Sequence, residues 1–199
     1  GSKRLPGKTL MPLSHNQTVL EYVVRAVRTV NVIEPLLDDI IVATTNLKED
    51  DAIEKWCKNH KVHCFRGNPT DVLDRYYQCA KAAQAKWILR VTGDCPLLSS
   101  FMVYGLLKVR PRAKYAALAV NRKAIPLGWD AELFSFNLLD LAWRSTISKD
   151  REHVSIFMRK MGQDYFDYGT EFKFDIKYDL DTKKDLSNIK KYIKSRWGK

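Results

Sequence analysis

The residues best able to do chemistry crowd the start of the chain. Gly1-Ser2-Lys3-Arg4-Leu5-Pro6-Gly7-Lys8 places two glycines, a proline and three cations in eight residues. That composition suits a backbone wrapped around a polyanion: Gly reaches conformations other residues avoid, Pro stiffens the loop, and Arg and Lys donate charge-assisted hydrogen bonds. A nucleoside triphosphate is the polyanion that fits best. The stretch nearly writes the phosphate-loop pattern G-x-x-x-x-G-K-S/T, but five residues separate its glycines and Pro6 sits where that loop needs an N–H. Thr9-Leu10-Met11-Pro12 is also a poor helix start, so the phosphate-loop reading fails. Taken alone, the stretch is equally a basic surface turn.

Further candidates follow along the chain. Asp94, in Arg90-Val91-Thr92-Gly93-Asp94-Cys95-Pro96-Leu97, comes directly after a short apolar run. If that run is a strand, Asp94 stands on the carboxyl rim of a sheet, where ligands of open α/β folds bind, and Thr44 shares that rim after a second run. A carboxylate facing a cationic loop makes chemical sense if a hard cation bridges it to phosphates; its plainer reading is a turn residue. Asp181 is the second carboxylate, with Asp179 a competitor, and Asp181-Thr182-Lys183-Lys184-Asp185 also reads as a helix cap. Asp71 and Arg75 are four apart, which on a helix gives an ion pair. Asp130 and Glu132 alternate on one face of an expected strand. Arg151-Glu152-His153 opens an expected helix with two cations set against the helix dipole, a placement that points to an anion partner.

The elements that must hold these residues alternate between the two periodicities. Helices are expected over Thr18–Val30, Glu49–His60, Asp71–Gln84, Ser100–Val109, Phe136–Trp143, Arg151–Met161 and the last seventeen residues. Strands are expected over Asp39–Thr44, Lys61–Phe65, Trp87–Val91, Tyr115–Val120, Ala131–Phe134 and Lys173–Tyr178. Such alternation implies a mostly parallel sheet covered on both faces, within one domain over residues 1–199.

Composition narrows the class. A chain of 199 residues with 45% hydrophobic content can bury a sizeable core, and no run approaches the roughly 18 apolar residues of a membrane span. Cys57, Cys64, Cys79 and Cys95 show no C-x-x-C pairing, which suits reduced thiols in a cytoplasmic protein. Cys57, His60, His63 and Cys64 invite a zinc reading, but they span a helix end and a strand start and would not converge. The net charge of +11, from 34 Lys and Arg against 23 Asp and Glu, raises nucleic acid as a partner. Its distribution argues against that: the densest run, Lys183–Lys199, is the solvated face of a helix whose apolar stripe is Leu186, Ile189, Ile193 and Trp197.

The ordered set R-L-P-G-K, Ile40-Ile41-Val42-Ala43-Thr44-Thr45, Asp50-Asp51, Phe65-Arg66-Gly67-Asn68, Asp71-Val72-Leu73-Asp74-Arg75-Tyr76, Thr92-Gly93-Asp94-Cys95-Pro96, Gly128-Trp129-Asp130-Ala131-Glu132, Arg151-Glu152-His153 and Asp179-Leu180-Asp181-Thr182 resembles the sugar-acid cytidylyltransferases over essentially the whole chain. The similarity is to the CMP-nonulosonate and CMP-Kdo synthetases, nearest the spore coat polysaccharide biosynthesis protein F branch. The resemblance implies a three-layer Rossmann-like sandwich of the nucleotide-diphospho-sugar transferase (GT-A-like) fold. It implies activation of a sugar acid with CTP to give a CMP-sugar and pyrophosphate, in a homodimer with apolar contacts from the Tyr115–Phe134 segment. Arg4, Lys8 and Asp94 would carry catalysis, with Ser2, Gly7, Thr44, Arg66, Gly67 and Arg75 joining Arg4 and Lys8 around the nucleotide. Asp71, Asp130, Glu132, Arg151, Glu152 and His153 would meet the acceptor, and Asp94 and Asp181 would hold Mg²⁺. Members of the family begin with a short hydrophobic strand, at the sheet centre, ahead of the loop, and none precedes it here. A sugar-nucleotide-using glycosyltransferase or a catalytically inactive binding homologue would share the fold.

Overall fold

The computed structural model describes residues 5–14, 16–109, 114–118, 128–147, 150–161 and 177–197. After a single 3₁₀ turn at Lys8–Leu10, a short hairpin, β1 (Pro12–Ser14) and β2 (Gln17–Thr18), runs straight into helix α1 (Val19–Ile33). Thr18 caps that helix by accepting the Glu21 amide at 3.2 Å. Its buried stripe of Val19, Leu20, Val23, Val24, Val27 and Val30 has the helical period the sequence predicts. Strand β3 (Ile41–Thr45), helix α2 (Asp51–Asn59) and strand β4 (His63–Gly67) then form a β-α-β unit with the strands parallel, Ile41 opposite His63 and Thr45 opposite Gly67.

Helix α3 (Val72–Ala82) leads to β5 (Trp87–Val91), helix α4 (Ser100–Lys108), β6 (Tyr115–Ala117) and β7 (Ala131–Ser135). The last three strands form a sheet in the order β5-β7-β6, antiparallel at both contacts. Alternation across this sheet sets the layers. Leu89, Val91, Leu133 and Ala116 pack with α1 and α4, whereas Ile88, Phe134, Tyr115 and Ala117 pack with α3, α5 (Phe136–Ser145) and α6 (Ile156–Lys160). Helix α7 (Lys183–Trp197) lays Ile189 and Ile193 against Leu5, Leu13 and Val19, which ties the end of the chain to its beginning.

The helix-covered α/β sandwich is as expected, but parallel pairing is confined, among the described strands, to β3 and β4. Periodicity reports which face a residue takes, and it carries no information on which strand lies beside which. The hairpin at residues 12–18 goes unannounced because two- and three-residue strands are too short to show a period. Arg151–Met161 forms a helix only from Ile156, since the residues before it make turns. In the Tyr115–Phe134 segment, Tyr115, Ala116, Ala117, Leu133 and Phe134 are buried in this chain's own core, so these residues offer nothing to a subunit contact. Most of the expected Lys173–Tyr178 strand lies outside the described residues. No helix among the described residues is long and apolar enough to cross a membrane.

The sheet is split along its length. Among the described strands β3 pairs only with β4 and β5 only with β7, and between their other edges runs a slot of about 950 Å³. Val23, Val24 and Val27 of α1 wall one side, and Tyr76, Cys79 and Ala80 of α3 wall the other. All five residues of β5 are only half-buried, although Trp87, Ile88, Leu89 and Val91 are apolar. Two strand edges and two helices thus bound the slot. Lys8, Thr9, Gly93 and Asp94 also line the slot, so it reaches the sheet rim.

Candidate active site

The amino-terminal loop is pinned at both ends. Leu5 is buried against the α7 cluster, and the Met11 carbonyl accepts from the Val19 amide at 3.0 Å. Gly7 turns the chain with φ +69°, a left-handed conformation that costs Gly little and other residues more. That turn launches the 3₁₀ segment, with Leu10 donating to the Gly7 carbonyl at 3.0 Å, and sends the Lys8 side chain inward.

Three remote segments meet at the Lys8 ammonium. It donates to Asp94 Oδ2 at 2.6 Å, to the Leu180 carbonyl at 2.7 Å and to Asp181 Oδ1 at 3.3 Å. The Leu180 amide donates to the Asp94 carbonyl at 2.9 Å, so backbone as well as charge joins the loop after β5 to the segment before α7. Asp94 stands on the carboxyl rim of β5 as its position in the sequence predicts. Thr182 caps α7, exchanging hydrogen bonds with Asp185 in a capping box, so the Asp181 carboxylate is not the cap. The other Asp181 oxygen accepts from Lys177 at 3.0 Å, and Lys177 also reaches Asp179 at 3.1 Å. Burial alone would raise the Asp181 carboxyl; hydrogen bonds from Lys177 and Lys8 outweigh it and hold the group below the usual range. Lys177 was not among the expected site residues. Its spacing of four from Asp181 was the available signal, obscured by the strand expected there.

Asp94, Asp181 and the Leu180 carbonyl present hard oxygen donors, the chemistry a Mg²⁺ ion takes, and one or two carboxylates suffice when substrate phosphates complete the shell. No group of three or more His, Cys, Asp or Glu side chains fit to hold a metal occurs among the described residues. Zinc at Cys57, His60, His63 and Cys64 is ruled out by their contacts: the His60 ring stacks on Trp56, and His63 turns outward to Asp39.

Several other expected site residues make contacts within the chain. Arg66 gives Nε to the Thr45 carbonyl, Nη2 to Leu47 O and Asp51, and Nη1 to Glu54, so it clamps the β3–α2 turn. The Thr44 hydroxyl donates to Asp50 Oδ2 at 2.8 Å inside the same turn. Asp71 caps α3 by accepting from the Asp74 amide, and its ion pair is with Arg151 at 2.6 Å rather than with Arg75. Arg151 also donates Nη1 to the Trp143 and Thr146 carbonyls. Gly67 is small for packing: a Cβ there would lie 2.9 Å from both Arg75 Cγ and Phe65 Cε1.

Glu132 is the most deeply buried of the expected acceptor residues among those described. It faces Arg90 across β5 and β7 at 2.5 Å, accepts from Arg159 at 2.6 Å and from the Tyr115 hydroxyl at 2.8 Å, and its side chain is 4% exposed. Burial opposes its charge, but the two guanidiniums and Ser155 hold the carboxyl at about 2. Asp130 lies just ahead of β7, half-buried, and so does not share that environment.

Lys8, Asp94, Asp181 and Arg75 thus remain at or beside the rim. Arg75 donates Nη1 to the Asn68 carbonyl and lines the slot with a buried Nε that has no partner. Glu152 and His153 are exposed. Ser2 and Arg4 lie outside the described residues.

The chain matches the family model described as cytidylyltransferase over residues 1–196, and it belongs to that family. An uncharacterized protein of Methanocaldococcus jannaschii is 38% identical over 159 residues, a match spanning 79% of this chain and 63% of the relative's length. The spore coat polysaccharide biosynthesis protein SpsF of Bacillus subtilis is 29% identical over 96% of this chain and 81% of its own. Among solved structures, a cytidylyltransferase from Leptospira borgpetersenii superposes with a TM-score of 0.86 at 26% identity, covering 98% of this chain and 83% of that one. A CMP:2-keto-3-deoxy-manno-octonic acid synthetase complexed with CTP gives a TM-score of 0.66 at 15% identity, over 98% and 95%. A Mycobacterium tuberculosis protein solved with manganese gives 0.62 at 15%, over 96% and 94%. The last two likenesses establish the fold.

The Glu132 network sets an acid limit on stability. A carboxylate held below its unfolded value of 4.5 contributes stability above that pH and loses it as pH falls toward about 2. Glu132→Gln should cost about 3–5 kcal/mol at pH 7, because it leaves two guanidiniums without their counter-charge. The gap between variant and parent in urea denaturation should narrow from pH 5 to pH 3.

Proposed function

We propose that this chain transfers a cytidylyl group from CTP to a hydroxyl of a sugar acid, releasing pyrophosphate. The observation that carries the reading is the convergence of Lys8, Asp94 and Asp181 from three remote segments on one point of the sheet rim. The family assignment supports nucleotidyl transfer, and the CTP-bound synthetase of similar fold supports the nucleotide and acceptor class.

In this reading the acceptor oxygen attacks the α-phosphorus as the bond to the bridging oxygen of pyrophosphate breaks. The protein forms no covalent bond, so its contribution is alignment and neutralisation of charge. Lys8, with Arg4 beside it in sequence, holds the triphosphate and stabilises the charge that gathers on the leaving pyrophosphate. Arg75 supplies the remaining guanidinium at the nucleotide, and its unpartnered Nε fits that task. Asp94 and Asp181 would hold Mg²⁺, which when bound supplies charge neutralisation at the α-phosphate and lowers the pKa of the attacking hydroxyl. Asp130, which is half-buried, and the exposed Glu152 and His153 would meet the acceptor. The reading places the enzyme in the cytoplasm as a homodimer.

Titration calorimetry with CTP, UTP, ATP and GTP in Mg²⁺ should show CTP binding tightest, and preference for a purine nucleotide would overturn the reading. Asp94→Asn should lower pyrophosphate release at least 100-fold, and EDTA should abolish release by the parent enzyme. Since Asp94 is part-exposed and pairs with one lysine, the melting temperature of Asp94→Asn should stay within about 5 °C of the parent.

A further inference from the structure

The point where the Asp94 and Asp181 carboxylates converge already holds a cation, the Lys8 ammonium, with contacts of 2.6 and 3.3 Å and a third oxygen from Leu180 at 2.7 Å. A divalent ion taking the same two carboxylates would need their oxygens at about 2.1 Å, within the space the ammonium fills. Like charges cannot share that space. The lysine is 12% exposed in its side chain and is held from three sides, so it does not leave at random.

We infer that Lys8 is a displaceable counter-ion that keeps divalent metal off Asp94 and Asp181 in the free enzyme, so that metal is admitted with the triphosphate and not before it. This rests on the reading of those two acids as metal ligands. Charge supports the exchange. Asp94, Asp179, Asp181 and Asp185 stand around Lys8 and Lys177, four carboxylates to two ammoniums. Withdrawal of Lys8 leaves one more negative charge uncompensated at the convergence point. Lys177 does not substitute for it, because it faces the other Asp181 oxygen and is shared with Asp179. The leaving ammonium needs an anion of its own, and the polyphosphate is the anion the loop is built to meet. Lys8 then has two positions, one on the acids and one on the phosphates, and the arriving nucleotide moves it from the first to the second. The enzyme gains an order of binding: metal does not load onto the empty acids.

Mn²⁺ is the probe, followed by electron paramagnetic resonance without nucleotide. The parent enzyme should bind Mn²⁺ weakly at this site and show no rise in melting temperature with it. Lys8→Met, which keeps the chain length and removes the charge, should bind Mn²⁺ at least tenfold more tightly and gain several degrees of melting temperature in its presence. Lys8→Gln, whose amide can still donate to either carboxylate, should show the same gain and carries the test if the Met variant does not fold. Mn²⁺ affinity in these variants equal to or below the parent's would overturn the inference. Asp94→Asn measured with CTP present separates the two readings: loss of CTP-dependent Mn²⁺ binding there, without a gain in the nucleotide-free Lys8 variants, sinks the counter-ion alone. CTP-dependent Mn²⁺ binding in Asp94→Asn equal to the parent's sinks the metal assignment, and the inference with it.

Discussion

Everything at the rim depends on one ammonium. Two carboxylates drawn close by the backbone repel each other unless a cation stands between them, and Lys8 stands there. Its hydrogen bonds reach residues 86 and 173 positions away in sequence. No local propensity could bring those segments together. The packing of α7 on Leu5, Leu13 and Val19 performs the gross approach, and the Leu180 amide to the Asp94 carbonyl sets the register. Lys8 then makes that register tolerable electrostatically. A small displacement of the loop would leave two acids unpaired, so loop position and acid position are one variable.

The two charge clusters of this molecule show how burial decides function. Around Glu132, two arginines, a tyrosine and a serine satisfy a carboxylate that is 4% exposed, and separating them would strand buried charge. Such a cluster is rigid, and it joins β5 to β7 and α6. Around Asp94 and Asp181 the side chains are 28% and 16% exposed, and the partners are lysines, point charges on flexible stems. Lysine can be exchanged for another cation or drawn to another anion at modest cost, whereas a forked, buried arginine cannot. Acid and base residues of the same formal charge therefore divide into fixed braces and movable counter-ions by depth and by partner type.

What was legible in the sequence follows the same division. Helix α1 and strand β5 were legible because burial prints a period, and Lys8, Asp94 and Asp181 because their motifs sit at element ends that face the rim. The internal partners of Arg66, Arg151 and Glu132 were not legible from residue type, since a guanidinium that clamps a turn and one that grips a phosphate read alike. Only the partner distinguishes them, and the partners lie far off: Asp71 meets Arg151 across 80 residues and Arg90 meets Glu132 across 42. The antiparallel insertion of β7 between β5 and β6 was hidden for the same reason, pairing being a long-range property that alternation does not encode.

The slot between β3 and β5 connects the core to the chemistry. Its walls are set by the aliphatic stripe of α1 and by α3, and its lining runs on to Lys8, Thr9, Gly93 and Asp94. A Cβ at Gly93 would lie 3.6 Å from Thr9 Cγ2, which places loop and rim in contact there. A strand in that position would pair with β3 on one edge and β5 on the other, and so fix the distance between the two half-sheets. Since Asp94 follows β5 directly and Thr44 and Thr45 end β3, that distance also sets the spacing between the β3 rim with its Asp50 anchor and the Lys8 site. The width of the slot and the position of the acids are thus coupled by geometry.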